Sequence, residues 1–351
     1  MIKKADSENK TIDYWTLGVG VILSLFTTAL FLTGCGGGGS SVQQAKSAAW
    51  FMDNGKLKVL CTTEMVHDVV QQVGGEEIDA ITLITGELDP HTYEIVKGDS
   101  EKLEFAQLIY SNGLLLEHGP SLRQFLEGND KVYRLGDMIR LQKPELILTV
   151  NGMPDPHIWM DIAIWERTIP LIVNSLVQAR PEKEKFFRER GEEVSREFLE
   201  ADRRVRERLH LIPQEKRYLV TSHDAFNYFA RSYLAEESEV KSGAWHKRFK
   251  APEGLAPDIQ LSLVDVLRII QHLEDYKIRV LFPEANVSKD SLRKIVDSQK
   301  QRGINLVIAE EPLYGDSMGG AGSDGDTYIK MIEHNAKVIG EYLGKHNGEG
   351  H

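Results

Sequence analysis

From residue 57 onward the apolar positions come in two kinds of block: short runs of four or five, and longer stretches with an apolar residue at every third or fourth position. Short runs bounded by turn residues read as buried strands, and the longer periodic stretches read as amphipathic helices. The first unit reads as a strand at 57–61, a helix at 64–73 and a strand at 78–84. A helix, a strand at 107–111 ending in Asn112-Gly113, a short helix from Pro120 and a strand at 131–135 complete it. A further helix is expected over about 159–178. Residues 181–209 are highly charged, but Phe187, Val194, Phe198, Val205 and Leu209 recur at steps of three, four or seven, one narrow helical stripe. A helix of that length spans roughly 45 Å, more than one small lobe needs, so it reads as a rod between two lobes. The rhythm resumes with a strand at 218–221, a helix carrying Phe226 and Phe229, and an irregular stretch at 242–256. Lys241, His246, Lys247, Arg248 and Lys250 cluster there as a solvated loop. Then follow a helix at 257–276, a strand at 278–282, a helix from Ser288, a strand at 305–309, a glycine-rich loop through Gly325 and a last helix at 326–343. Alternating strands and helices imply mostly parallel sheets covered on both faces. The fold class is therefore α/β: two βα, Rossmann-like lobes joined by one long rigid helix.

The start of the chain follows a different pattern. Lys3, Lys4 and Lys10 precede an apolar run at 17–32 that ends in Leu32-Thr33-Gly34-Cys35, the layout of a secretory signal. An uncleaved anchor is the alternative, since the run approaches spanning length, but it leaves the lone cysteine at the boundary unexplained. Leu-Thr-Gly-Cys resembles a bacterial lipobox, which implies that Cys35 is lipidated and becomes the mature N-terminus. Gly36 to Ser41 and the polar stretch after them form a flexible tether, and about 20 such residues reach roughly 25 Å. The expected organisation is a signal peptide at 1–34, a tether at 35–55, a first lobe at 56–178, the connecting helix at 179–212, a second lobe at 213–346 and a tail at 347–351. Cys61, the second of two cysteines, lies in the first strand as a small buried hydrophobe, and no intrachain disulfide is expected.

Composition bounds the function. With 351 residues, 41% hydrophobic and 27% charged, the chain is long enough for two cores of ordinary soluble type. A net charge of -11 without a basic face argues against a nucleic-acid partner.

Candidate chemistry begins with a repeat: Asp89-Pro90-His91 recurs as Asp155-Pro156-His157. Proline fixes its own φ and pushes the preceding residue toward extended geometry, so each copy is a stiff corner that aims an imidazole. The neighbouring carboxylate is suited to orient the ring, as acceptors do behind metal-ligating histidines. Ligands of open α/β sheets sit beyond the carboxyl ends of strands. His91 and His223 fall there, as do Glu284 and Asp316, while His157 stands where the connecting helices begin. Three imidazoles and one carboxylate make a closed four-ligand shell for a divalent transition metal. His67 and His334 sit in predicted helices with packing roles, and His346 and His351 belong to a frayed tail.

At this level the chain resembles the metal-binding, solute-binding lipoproteins of zinc, manganese and iron ABC importers. The resemblance rests on Asp89-Pro90-His91-Thr92-Tyr93-Glu94, Asn112-Gly113-Leu114-Leu115-Leu116-Glu117, Asp155 to Asp161, Thr221 to Phe226, Leu313 to Gly319 and Gly325-Asp326-Thr327-Tyr328. It runs in order over 57–343. It implies two lobes joined by one helix, with one zinc, manganese or iron ion held between them by His91, His157, His223 and Asp316. Glu284, read from its place beyond a strand, is either a fifth ligand or an acceptor behind the ligands, the second being favoured. The resemblance further implies an extracytoplasmic, lipid-anchored, monomeric receptor that delivers metal to a permease and its ATPase, and not an enzyme. Two departures stand out. Ile95 occupies a common proline position, and His118 is the only histidine between Glu94 and Pro154, where dedicated zinc binders carry a histidine-rich loop. The rival classes are a metallohydrolase using the same histidines with Glu284 as base, and an adhesin-type lipoprotein with a structural metal. A hydrolase needs an open coordination position, and no His-Glu-x-x-His pair is present.

Overall fold

The computed structural model describes residues 49–256 and 262–346. Residues 1–52 form a unit of their own, of which only 49–52 are described, so the signal segment, Cys35 and most of the tether lie outside the described residues. Residues 53 onward form the second unit.

In that unit the run Leu57–Cys61 forms β1, with every residue buried. α1 (Glu64–Gly74) turns Met65, Val66, Val69, Val70 and Val73 inward, one face of a 3.6-residue period. β2 (Ile78–Thr82) then returns parallel to β1, pairing Ile78 with Leu57. α2 (Asp99–Phe105), β3 (Leu108–Ser111), α3 (Pro120–Leu126) and β4 (Val132–Arg134) complete a parallel sheet in the order β2-β1-β3-β4. Its register sets Leu108 opposite Val59 and Val132 opposite Ile109. Parallel strands joined by crossovers all release their carboxyl ends at one edge, and the segments bearing His91 and Asn112 leave from that edge.

α4 (Leu135–Gln142) and the antiparallel pair β5 (Thr149–Val150) and β6 (Met153–Pro154) lead to the second Asp-Pro-His corner. The stretch after it is not the single helix its apolar content predicts. A 3-10 turn at Ile158–Met160 is followed by α5 (Ile162–Trp165) and α6 (Thr168–Ala179). Asp161 makes the break: its backbone is extended, and its carboxylate accepts the N–H groups of Ala163 and Ile164 as an N-cap.

α7 (Glu184–His210) is the expected rod, 27 residues long and about 40 Å from end to end. Its buried face holds Phe187, Gly191, Val194, Phe198, Ala201, Val205 and Leu209. Burial of each of the two phenylalanines contributes about 1.5–3 kcal/mol. At Gly191 an added Cβ would lie 2.5 Å from Val173 Cγ2, so glycine is what lets α7 approach α6. On the solvent side, Arg188–Glu184 and Arg203–Glu207 pair at 2.8 Å one turn apart, exposed contacts of small energetic weight.

The second half continues with β7 (Leu219–Val220), α8 (Asn227–Phe229), α9 (Glu237–Ser242), β8 (Phe249–Lys250), α10 (Leu263–Asp275), β9 (Val280–Leu281), α11 (Asp290–Gln301), β10 (Val307–Ile308) and α12 (Tyr328–His346). β7 pairs with β8 and β9 with β10, both parallel, and a 2.9 Å hydrogen bond from Phe282 N–H to the Val220 carbonyl joins the two ribbons. β8 falls in the stretch that reads as irregular; of the basic cluster there, Lys241, His246 and Lys250 are exposed as expected, but Arg248 is not solvated. Arg248 is 1% exposed; its guanidinium donates to both Glu239 carboxylate oxygens at 2.8 Å and stacks 4.5 Å over the Tyr218 ring. His346, expected in the tail, is the last residue of α12, its ring stacked on that of Tyr342, while His351 lies outside the described residues. The whole is an α/β fold of two βα lobes with mostly parallel strands, joined by α7. Among the described residues no helix is long and apolar enough to cross a membrane.

Candidate metal centre

Both Asp-Pro-His corners close in the same way. The Asp89 carboxylate accepts the His91 N–H at 2.8 Å, and the Asp155 carboxylate accepts the His157 N–H at 3.0 Å. These are Asx turns, which fix the histidine backbone without a helix or strand. His223 is the third residue after β7. Its N–H and that of Ser222 donate to Glu284 Oε1 at 2.9 and 3.0 Å. Asp316 arrives on the loop after β10, beyond Leu313, which bridges to Glu284.

The fold brings four of these side chains to one point. His91 Nε2, His157 Nε2 and His223 Nε2 lie 3.4, 3.3 and 3.1 Å from the Asp316 carboxylate oxygens. One donor atom from each of the four lies within 4.8 Å of every other, and all four side chains are buried. Metal–nitrogen bonds of 2.0–2.1 Å in a tetrahedron separate donors by roughly 3.4 Å. All three Nε2 atoms and both Asp316 oxygens are buried without a hydrogen-bond partner. Buried polar atoms are ordinarily satisfied, so this convergence fits a cation at the centre.

Electrostatics differ around the ring of donors. Burial alone would push His157 down, but the carboxylates of Asp155 and Asp316 outweigh it and raise His157 to about 9. His223 follows the same logic: burial opposes its charge, and Glu284 and Asp316 carry it well above the usual range. At His91 burial prevails over Asp316 and holds the ring below the usual value. Asp316 is pushed up by burial but drawn well below the ordinary carboxylate range by His223 and His157.

Behind the donors stand the two carboxylates expected there, Asp155 and Glu284, together with supports that spacing did not reveal. Asp155 Oδ1 lies 2.7 Å from His157 Nδ1, its Oδ2 accepts from Asn227 at 3.0 Å, and its backbone carbonyl accepts from the Tyr228 hydroxyl. Glu284 Oε2 lies 2.7 Å from His223 Nδ1, on the side of the ring away from Asp316's contact with Nε2. An added Cβ at Gly315 would come within 2.3 Å of that same Oε2, so glycine is required beside Asp316. Trp159 Nε1 donates to the Gly315 carbonyl at 3.0 Å, and Tyr328 donates to the Trp159 carbonyl at 2.7 Å, tying the His157 segment to the Asp316 segment. Asn112 Nδ2 donates to the Pro156 carbonyl at 2.9 Å. Asn112 and Trp159 belong to motifs visible in the sequence; nothing in the spacing pointed to Asn227 or Tyr228. His67 and His334 lie apart from the cluster and contact the carbonyls of Ala80 and Pro312. Cys61 is buried, which pushes its thiol up.

The ZnuA family, zinc-uptake complex component A, periplasmic, matches residues 59–342. The chain belongs to this family. It is 39% identical over 288 residues to the metal-binding protein YtgA of Chlamydia trachomatis, covering 82% of this chain and 86% of that one. The crystal structure of Fe(III)-bound YtgA superposes with a TM-score of 0.78 at 38% identity, covering 84% of this chain and 99% of that chain. The periplasmic zinc-binding protein TroA of Treponema pallidum gives a TM-score of 0.74 at 28% identity, covering 83% of this chain and 100% of that chain. A manganese ABC transporter substrate-binding lipoprotein, PsaA of Streptococcus anginosus, is 25% identical over 334 residues, 93% of this chain and 99% of its own. Relatives of this chain are thus metal-binding transport proteins, and their names divide among iron, zinc and manganese.

Proposed function

We propose that the chain is the extracytoplasmic substrate-binding protein of an ABC metal importer, and that His91, His157, His223 and Asp316 hold its cargo ion. The observation that carries this reading is the convergence of three buried Nε2 atoms and one buried carboxylate, none with a hydrogen-bond partner. The donors come from both lobes, as capture between lobes requires. Glu284 acts from behind, orienting His223 through Nδ1. A non-enzymatic role is supported by the same geometry, because four donors close a tetrahedral shell and Glu284 is engaged with His223 and two backbone N–H groups. The cargo is zinc, manganese or iron. Imidazole-rich donors follow the Irving–Williams order and favour zinc over manganese on affinity, so a manganese or iron role rests on supply and on the transporter.

In this reading residues 1–34 are a signal peptide, Cys35 carries the lipid, and 35–55 tether the body near the membrane. The lobes are 56–178 and 213–346, with 179–212 between them and 347–351 a tail. The receptor works as a monomer and delivers its ion to a permease driven by an ATPase. Competitive titration of metal-free protein with zinc, manganese and ferrous iron tests the reading. One ion bound per chain and a rise in Tm that scales with metal concentration are expected; a Tm indifferent to all three metals overturns it. For the anchor, Cys35→Ser is expected to release the protein from the membrane fraction.

A further inference from the structure

A cavity of about 400 Å³ opens beside the cluster, and it has two imidazoles in its wall: His91, a proposed ligand, and His118, which no part of the site uses. The rest of the lining is mainly apolar, including Leu114, Met153, Pro156 and Leu255. Arg123 stands on the wall as well, paired with Glu127 at 2.7 Å. A hydrated cation crossing such a passage loses water that apolar walls do not replace, and unpaired charge in that setting is costly. His118 is the side chain positioned to take the place of that water.

Three features fit His118 for this. Its ring is half-buried, whereas His91 is 1% exposed. The centroids of the His118 and His91 rings are 5.5 Å apart, close to the 5.4 Å between His91 and His157 inside the cluster, a spacing compatible with exchange of one ion between the two rings. And His118 Nδ1 lies 3.1 Å from the Leu115 carbonyl. A carbonyl only accepts, so Nδ1 carries the hydrogen, and in the neutral ring the Nε2 lone pair is left for a metal.

The loop that makes this contact is strained. Leu114 and Leu115 are consecutive non-glycine residues in the left-handed region, with φ of 54° and 66°, at a cost on the order of 1–2 kcal/mol each. It is held by the buried Glu117 carboxylate, which accepts from Asn112 N–H, Gly113 N–H and the Thr62 hydroxyl. Strain kept in place by such anchoring marks functional loops.

We propose that His118 is a capture residue: it binds the incoming ion in the cavity, passes it to His91, and receives it again on release. The inference rests on the proposed metal site. The test is stopped-flow kinetics with zinc alone on wild type, His118→Ala and His118→Asn. In both variants association and dissociation are expected to slow together by at least about fivefold, with Kd changed by less than about twofold, because a relay lowers the barrier in both directions. The asparagine variant keeps an N–H donor for the Leu115 carbonyl but lacks the metal-binding nitrogen. Wild-type rates in His118→Asn would make the ring a brace for the loop and overturn the proposal, as would unchanged rates in His118→Ala or a weakened Kd carried by dissociation alone. A wild type that binds no zinc, manganese or iron overturns the metal site itself, whereas normal binding with unchanged rates in the variants overturns the capture role only.

Discussion

Asp89 and Asp155 each accept the N–H of the histidine two residues on, yet they treat the imidazole differently. Asp155 is fully buried and lies 2.7 Å from His157 Nδ1, with Asn227 on its other oxygen. Asp89 is partly exposed, and its second oxygen accepts from the Thr92 hydroxyl. His157 is accordingly raised to about 9, against burial, while His91 is lowered by burial. A repeated sequence motif has produced a repeated backbone and two different electrostatic settings. The backbone follows from proline and the Asx turn, which are local. The electrostatic setting depends on what the rest of the chain packs behind the aspartate.

The largest effects should erase the contrast altogether. His157→Ala and His91→Ala each remove a donor, and each should weaken zinc binding by more than about 100-fold, beyond what loss of an outer partner costs, with the circular dichroism spectrum unchanged. Normal affinity in either variant, measured by competition with a chelating dye, would make the ligand assignment wrong.

Next come the substitutions that separate the corners. Asp155→Asn should cost about 10–100-fold in affinity, since it alters the acceptor behind His157. Asp89→Asn keeps an oxygen for the His91 N–H and should cost no more than about threefold, the scale of one modest hydrogen bond. Equal losses at the two sites would end the distinction. Glu284→Gln extends it to the second lobe, where about a tenfold loss is expected if Glu284 stands to His223 as Asp155 stands to His157. The smallest effect is on stability: Asn227→Ala, which takes a donor from Asp155, should cost about 1 kcal/mol and lower Tm by about 2–4 °C in a calorimetric scan.

Much of the fold could be read in the order of residues because its elements have strong periods. β1 is apolar at four of its five positions, interrupted by Lys58, and the stripe on the 27-residue α7 keeps helical spacing from Phe187 to Leu209. β8 could not be read in this way. Phe249–Lys250 is too short to have a period, and only its partner β7 defines it. The break between α5 and α6 had a signal, the N-cap Asp161, which the apolar residues around it masked. For the candidate site, the two corners and His223 declared themselves by local motif and by position after a strand. The supports did not, since Asn227 reaches Asp155 across 72 residues and Trp159 reaches Gly315 across 156. Long-range contacts of that kind leave no trace in spacing. Arg248 was misread for a related reason: its partner Glu239 is near in sequence, but its burial depends on Tyr218 and the strands around it.

The staple from Trp159 to Gly315, with Tyr328 bonded to the Trp159 carbonyl, also bears on how the protein matures. It joins a piece of chain made midway through synthesis to pieces made much later, and the four donors, His91 to Asp316, are drawn from a still wider span. Non-local contacts form late in folding because long loops must close first. A chain truncated before Asp316, or stalled with its lobes unpaired, carries scattered histidines and no cage. With the ion held as proposed, metal retention would report that translation and folding are both finished, and bound ion would in turn select the completed molecule over its precursors.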